Sequence, residues 1–527
     1  MAITFDNIDE IREIFRYDAS ATAYIGITHR YDTTVAAFDY FDNNATVGDY
    51  IAFGWDYGAF HDLTVNVGTA IAGTGITGVW EWSRDDGTWQ ALTCTDNTVG
   101  FTVTGVNSIT FTIPDRMANR YFGGSPYGGI GGSSYMYAAS YIRYRITAIT
   151  TITEGGANAT NKPTCKDYSI KLDGGTLRMS DILAADVAGG WGVVTQTGNY
   201  FLLTCHLWIG DKIVTSQNAT NATTLAIRGA EQVEVGTSVK YRSIRKCGNT
   251  TLTLGNKSGT TYSEGSALRY WNQDASYMYP YANNYNSWYG NLNIYSSILS
   301  KRAGGFNDPQ ITCVCDIQNS IICGHFYYFL SSSGSCKNTT WEFGNNRGYD
   351  YSGSLTLDNI LLTNCTGIVV GSTNVTIANI NFGTSLIFQV ANSAVTAYAK
   401  DCSFSNYYSQ VQATSSNDKA IVNYTLTFVV TDIAGVVITN SCTIYLKSAL
   451  GTLSWGYSGM ILRAIEYWNT APTTEWVVHN PYTLTISCDG YETYSAPLTL
   501  GFTTKDIKIK LRHAMSPGRD AMGAEFK

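Results

Sequence analysis

The chain has no basic run and no Lys/Arg-rich stripe, and its net charge of -7 is spread thinly over 527 residues. The electrostatic footprint that binding to a phosphate backbone requires is missing, so nucleic acid is excluded as the main partner. Runs of about 18 apolar residues are also missing, which argues against a membrane-spanning helix. The opening MAITFDNIDEIREIF is acidic where a secretory signal is basic and then apolar, so no Sec-type address is expected.

The twelve cysteines run from Cys94 to Cys488 without a C-x-x-C pair, and the closest two, Cys313 and Cys315, would share one face of a strand. Neither a metal centre nor a disulfide framework is expected, and most of the cysteines read as reduced core residues suited to a reducing compartment. The six histidines (His29, His61, His206, His325, His479, His513) are scattered, with no H-E-x-x-H and no G-x-S-x-G elbow beside any of them. A hydrolytic triad lacks support, and His206 and His325, set in apolar strands, read as core or wall residues. Ten N-x-S/T sequons, Asn338 among them, reflect an Asn- and Thr-rich text and do not establish secretion.

What is present is β chemistry. Charged residues make up only 14% of the chain and aromatics 13%, with 37 Tyr, 51 Gly and nine Pro, a composition that favours strands and turns over disorder. Residues 4 to 16 place Ile8, Ile11 and Phe15 at helical spacing, so a short amphipathic helix, more a packed terminus than a docking arm, is expected within an N-terminal docking segment 1–44. From 45 to 152, short alternating segments (50–55, 63–67, 79–82, 101–103, 108–113 and 141–149) predict a β-sandwich. The Gly-rich insert 123–135 lacks a following Lys-Ser/Thr and reads as a surface loop rather than a phosphate cradle. Residues 153–165 have linker chemistry.

Within that sandwich lie a W-E-W strand (Trp80, Glu81, Trp82), Trp89, a D-x-T-x-G-F hairpin (Asp96 to Phe101), a strand leading to Pro114 and an R-x-R strand (Arg143, Arg145). This order resembles a jelly-roll-like sandwich of tail- and baseplate-associated proteins of tailed phages, which implies a virion domain.

Between 290 and 410 a short phrase recurs with a polar residue at its third position: Ser297, Asn319, Asn338, Asn359, Asn379 and Asp401, at intervals of 22, 19, 21, 20 and 22 residues. A period near 20 with small variation predicts coils with variable corners, in which stacked amides hydrogen-bond along a ladder. Ile321, Trp341, Leu361 and Ile380 or Phe382 are the expected apolar columns inside. The stretch resembles the pectate-lyase-like superfamily of right-handed β-helices, which includes pectin-degrading enzymes, phage tailspikes and non-catalytic virion proteins. Less regular coils upstream extend the expected β-helix to 166–410.

From 411 to 513 the pattern V-x-D-x-x-G (Val430, Asp432, Gly435), then Y-x-L-x-I-x-x-D-G-Y (Tyr482 to Tyr491) and a closing alternating strand resembles a carboxypeptidase-regulatory-like, prealbumin-type sandwich. Residues 514–527 form a tail. The expected fold class is all-β: N-terminal β-sandwich, central right-handed parallel β-helix, C-terminal Ig/prealbumin-like β-sandwich.

Polysaccharide-cutting β-helices converge carboxylates in a groove, whereas Asp308, Asp316, Glu342, Asp350, Asp358 and Asp401 fall at different offsets. No catalytic, cofactor-binding or metal-binding residue is expected. The aromatic, Asn-rich segment 270–289 supplies the candidate glycan or partner contacts Trp271, Tyr281, Tyr285, Trp288 and Tyr289, since such side chains stack on sugars or fill interfaces at little entropic cost. The expected function is a non-enzymatic structural component of a tailed-phage particle, assembled in the host cytoplasm. It would contact other virion proteins and host-surface glycan and form a homo-oligomer, with a trimer among its forms. The alternatives are a tailspike-type polysaccharide depolymerase and a cell-surface adhesin.

Overall fold

The computed structural model describes the chain except residues 1, 29–37, 56–57, 118–138, 158–161, 213–215, 241, 272–287, 302–310, 325–327, 343–348, 364–366, 371–374, 391–395, 414–417, 439–441, 450, 457–459, 471–472, 478–480, 500–504 and 515–527. The described residues are nearly all β and fall into two compact units, Met1–Tyr328 and Phe329–Lys527.

The first unit opens with a sandwich. One sheet orders Trp89–Ala91, Thr77–Ser83, Ser140–Ala148, Tyr50–Trp55, Glu13–Asp18 and Ala23–Thr28, all antiparallel. The facing sheet is built on Phe60–Thr69 and Gly105–Phe111. Period-2 alternation sends Trp80, Trp82, Phe53 and Tyr144 of one sheet and Leu63, Val65 and Ile109 of the other into a shared core. The D-x-T-x-G-F motif is a turn device. Asp96 accepts from the Trp80 indole at 2.9 Å, the Thr98 amide at 2.8 Å and the Gly100 amide at 2.9 Å. Phe101 is thereby driven, at a φ of 67°, into the core. Residues 101–103 are therefore part of this turn and not the expected strand.

Two further expectations are corrected. Residues 4–16 form no helix; they contribute the strands Ala2–Phe5 and Ile8–Glu10 and the start of Glu13–Asp18. Glu13–Asp18 lies between two strands and buries both faces, Ile14 inward and Phe15 under an outer aromatic layer; Ile8, 71% exposed on its own strand, and Ile11, buried between the strands, complete the helix-like spacing from separate elements. The supposed linker 153–165 contributes the strands Gly155–Ala157 and Thr164–Asp167. Its glycines serve close packing, since a Cβ at Gly155 would lie 2.5 Å from the Ile71 nitrogen. The insert 123–135 lies outside the described residues.

Coils follow in the same unit. Ser169–Asp173 pairs in parallel with His206–Ile209, which pairs with Ile244–Lys246. Thr223–Ile227, Thr251–Leu254, Trp288–Tyr295 and Ile311–Gln318 stack as a second parallel wall. Tyr200–Leu203, Gln232–Val235, Ala267–Tyr270, Ile298–Lys301 and Ile321–Cys323 stack as a third. Three walls of parallel strands, each returning one coil later, enclose an interior rich in buried Leu, Ile and Val. A helix that the sequence did not announce, Met179–Gly189, follows the first coil strands and buries Met179 and Ile182.

At the corner before the third wall the backbone enters the left-handed region at Ser296 (φ 48°) and Asn319 (φ 52°). The ladder position is therefore Ser296, and Ser297 is corrected by one residue. Register pairs Ile298 with Ile321, which sets Ser297 beside Ser320. Both are buried, and Ser297 donates its hydroxyl to the Tyr295 carbonyl at 2.6 Å while its amide donates to Ser320 Oγ at 3.2 Å.

In the second unit the same corner recurs at Asn338, Asn359, Asn379 and Asp401, with φ of 50°, 52°, 53° and 53°. Asn and Asp are the non-glycine residues that tolerate this conformation best, which explains the residue types. The residue after each corner turns inward, the next outward and the third inward. Leu361 is 57% exposed, while Ile360, Leu362, Ile380 and Phe382 are buried. Leu361 is thus not a column residue, and in the first unit Ile321, 38% exposed, yields its place to Ile322. Trp341, Ile380 and Phe382 do point inside.

Val411–Ala413 still pairs with the coil strand Ile387–Val390, and Lys419–Asp432 pairs with Thr396–Lys400 before continuing beside Lys505–Leu511. One strand thus leads from coil to terminal sandwich, so no break falls at 410/411. Asp432 closes the D-x-x-G turn by accepting the Val436 amide at 2.9 Å. Cys442 and Cys488, directly opposite on antiparallel strands, form a disulfide. Of the nine other described cysteines, seven are buried.

Candidate functional site

The outer face of the third wall in the first unit carries a polar and aromatic cluster. Glu234 and Arg269 are neighbours in register on adjacent coils. Trp271 directly follows the strand Ala267–Tyr270, fixed by its amide to the Val235 carbonyl at 2.8 Å and by its carbonyl, which accepts the Arg242 amide at 2.9 Å. Its indole N–H donates to Glu234 Oε1 at 2.6 Å, and the Tyr200 hydroxyl donates to Glu234 Oε2 at 3.1 Å. A carboxylate held between two half-exposed aromatic side chains offers ring faces for stacking and oxygens for hydroxyl recognition. Tyr200 and Glu234 escaped the sequence reading; their signal is the coil register that brings residues 200, 234 and 271 together.

Of the five expected contact residues, Trp271 joins this cluster. Trp288 does not: it is fully buried inside the coils, its indole N–H donating to the Ile244 carbonyl at 3.0 Å and its ring 6.0 Å from that of Tyr270. It pairs with Lys246 in the row of Ile209 and Ile311, whose side chains turn inward. Tyr289 is half-buried, and its carbonyl accepts from the Lys246 ammonium. Tyr281 and Tyr285 lie outside the described residues.

A second cluster sits on the neighbouring wall. The hairpin Asn256–Ser258 and Thr261–Ser263 brings Lys257 to Asp316 at 2.5 Å and stacks Tyr262 on Tyr295 with centroids 5.7 Å apart. Tyr295 donates its hydroxyl to Asp316 at 2.9 Å, and Gln318 its amide at 3.0 Å. Burial works against the Asp316 carboxylate, but the bonds from Lys257, Gln318 and Tyr295 outweigh it and hold its pKa below the ordinary value. A glycosidic general acid needs the opposite shift. Asp358 accepts the Asn379 amide at 2.6 Å, and Asp401 accepts the Thr425 hydroxyl at 2.5 Å. Glu342 is exposed; Asp308 and the Asp350 side chain lie outside what is described.

His206 is buried where coil meets sandwich in the first unit. The Ala59 amide donates to Nε2 at 3.1 Å, and the Ser243 amide faces Nδ1 at 3.0 Å. Burial, with Arg242 and Arg245 nearby, pushes its pKa well below the usual histidine value. An imidazolium would set its own N–H groups against those two amides. Lys246, fully buried inside the coils, donates to the Thr250 carbonyl at 2.7 Å, and burial lowers its pKa. Among the described residues no group of three or more His, Cys, Asp or Glu is placed to hold a metal ion.

No protein-family model matches this chain, and no curated protein matches it. Among solved structures, the catalytic domain of a GH87 alpha-1,3-glucanase in complex with nigerose is similar at 10% identity and a TM-score of 0.16, over 82% of this chain and 73% of that one. A likeness at that level carries no argument about activity.

Proposed function

We propose that the chain is a non-enzymatic structural component of a tailed-phage particle, a tail, baseplate, fibre or capsid-decoration protein. The supporting observation is the coil construction: parallel strands stacked in register, with a left-handed Ser, Asn or Asp at a recurring corner. Every coil adds one more rung of the same backbone pairing, which suits a stiff scaffold rather than a moving catalytic machine. The jelly-roll-like first sandwich and the prealbumin-like last one would supply docking surfaces to other virion proteins, and a homo-oligomer fits particle symmetry. The Tyr200, Glu234 and Trp271 cluster is the surface we assign to host glycan. Mass spectrometry of purified particles tests the reading: the chain should be found at a fixed stoichiometry to the major capsid or tail protein, and its absence from particles made by cells that express it refutes the assignment.

A further inference from the structure

The strand Ile8–Glu10 sets Asp9 opposite Cys165 on Thr164–Asp167, and the chain then turns through Tyr168 into Ser169–Asp173, which carries Lys171. Three charged side chains meet there away from solvent: Asp9 is 8% exposed, Asp167 2% and Lys171 8%. Lys171 Nζ lies 3.3 Å from Asp9 Oδ2 and 3.2 Å from Asp167 Oδ2. Trp208, paired in register with Lys171 on the next coil strand, closes one side with its ring centre 4.6 Å from the amine nitrogen. Asp167 Oδ1 is held by the backbone and side-chain amides of Asn7 at 3.0 and 3.3 Å. Its Oδ2 is buried and makes no well-aligned hydrogen bond, near as the Lys171 nitrogen is.

We infer that Lys171 and Asp9 are joined by an intramolecular amide bond, with Asp167 carrying the proton. Two buried ions of opposite charge at this distance are an ammonium and a carboxylate, and together they contain the atoms of one amide and one water. Holding both charges away from water is costly, and the neutral amide removes both. Burial pushes the Asp167 carboxyl up to about 6 against the pull of Lys171, so it can take up and return a proton near neutral pH.

In the reaction one proton leaves Lys171 Nζ and one oxygen of Asp9 becomes protonated. The nitrogen lone pair then attacks Asp9 Cγ, held in reach by the fold. The C–N bond forms, and Asp167 moves a second proton from nitrogen to the departing oxygen. The C–O bond breaks and water leaves. Asp167 ends as it began, and no oxidant, nucleotide or metal is consumed. The product replaces two buried charges with one neutral amide and ties residues 162 positions apart, fastening the N-terminal strand of the sandwich to the first coil strand.

The test is the intact mass of the purified, reduced and denatured full chain. A mass one water, about 18 Da, below the sequence mass is expected, together with a branched tryptic peptide joining the segments around Asp9 and Lys171. Lys171→Ala and Asp9→Ala should each restore the full mass. Asp167→Ala keeps both reacting groups and should leave most of the chain unlinked. A wild-type mass equal to the sequence mass, or a water loss without the branched peptide, overturns the proposal, and neither measurement depends on a variant folding. Full cross-linking in Asp167→Ala would overturn the part given to Asp167.

Discussion

Asn359 donates its side-chain amide to the side-chain oxygen of Asn338, 21 residues earlier, at 2.8 Å, and both residues hold the left-handed backbone conformation at the same corner of successive coils. One coil further on, the Asn379 amide bonds instead to Asp358, the residue before the corner, at 2.6 Å. The repeated amides therefore have two duties: they permit the bend, and they tie one coil to the next through whichever oxygen the local register presents.

These duties separate by substitution. Asn359→Ala forces a Cβ-bearing residue without a compensating side-chain bond into the left-handed region, at a cost of about 1–2 kcal/mol, and also loses the bond to Asn338. Asn359→Gly loses the bond but not the conformational ease. Urea titration should rank wild type above Asn359→Gly above Asn359→Ala; equal losses in the two variants would mean that the bend contributes nothing.

Trp288 and Trp271 come from one aromatic segment and should behave oppositely. Trp288→Ala empties a fully buried indole site and should cost about 3–5 kcal/mol. Trp271→Ala should leave the melting temperature within a few degrees but reduce retention on immobilised host polysaccharide. Unchanged retention would remove the glycan assignment from this surface.

The His206 imidazole makes stability depend on pH. Its folded pKa lies well below the unfolded value of 6.5, so the folded state binds fewer protons than the unfolded one. The contribution is present above pH 6.5 and is lost as pH falls from there toward the depressed value, with a limiting slope of about 1.4 kcal/mol per pH unit. Melting temperatures measured from pH 7.5 to 5 should fall, and the fall should be shallower in His206→Gln. A variant with the wild-type slope would assign the dependence to other groups.

The Cys442–Cys488 disulfide closes a separation of 46 residues in the terminal sandwich. Cys442→Ser should destabilise that sandwich by about 2–4 kcal/mol, read as a lower melting transition. Thiol labelling of the unfolded, unreduced protein should find two fewer reactive cysteines than labelling after reduction. Equal counts would mean the pair is not linked.

Much of the fold could be read without coordinates because backbone periodicity is local. Alternation at 63–67 and 141–149 and the apolar run at 50–55 marked strands that form, and the recurring Asn marked a corner whose conformation few residue types accept. Across residues 8–15 the apolar side chains belong to two short strands and the bend between them, and their spacing imitates a helix. Glycines at 155–156 imitate a linker for a similar reason, because a missing side chain looks the same whether it gives freedom or makes room for Ile71.

The site was less legible. Trp271 and Trp288 have the same chemistry, and only the wall to which each belongs sends one outward and the other inside. Tyr200 and Glu234 become partners of Trp271 because two turns of the coil superpose them, a relation spread over 71 residues of text. Composition and period by themselves determined an all-β chain with a coil of about twenty residues, since strand propensity and left-handed corners are properties of single residues. Which side chains meet, whether Trp208 over Lys171 or Cys442 beside Cys488, was decided only by the tertiary structure, because register and burial depend on where distant strands are stacked.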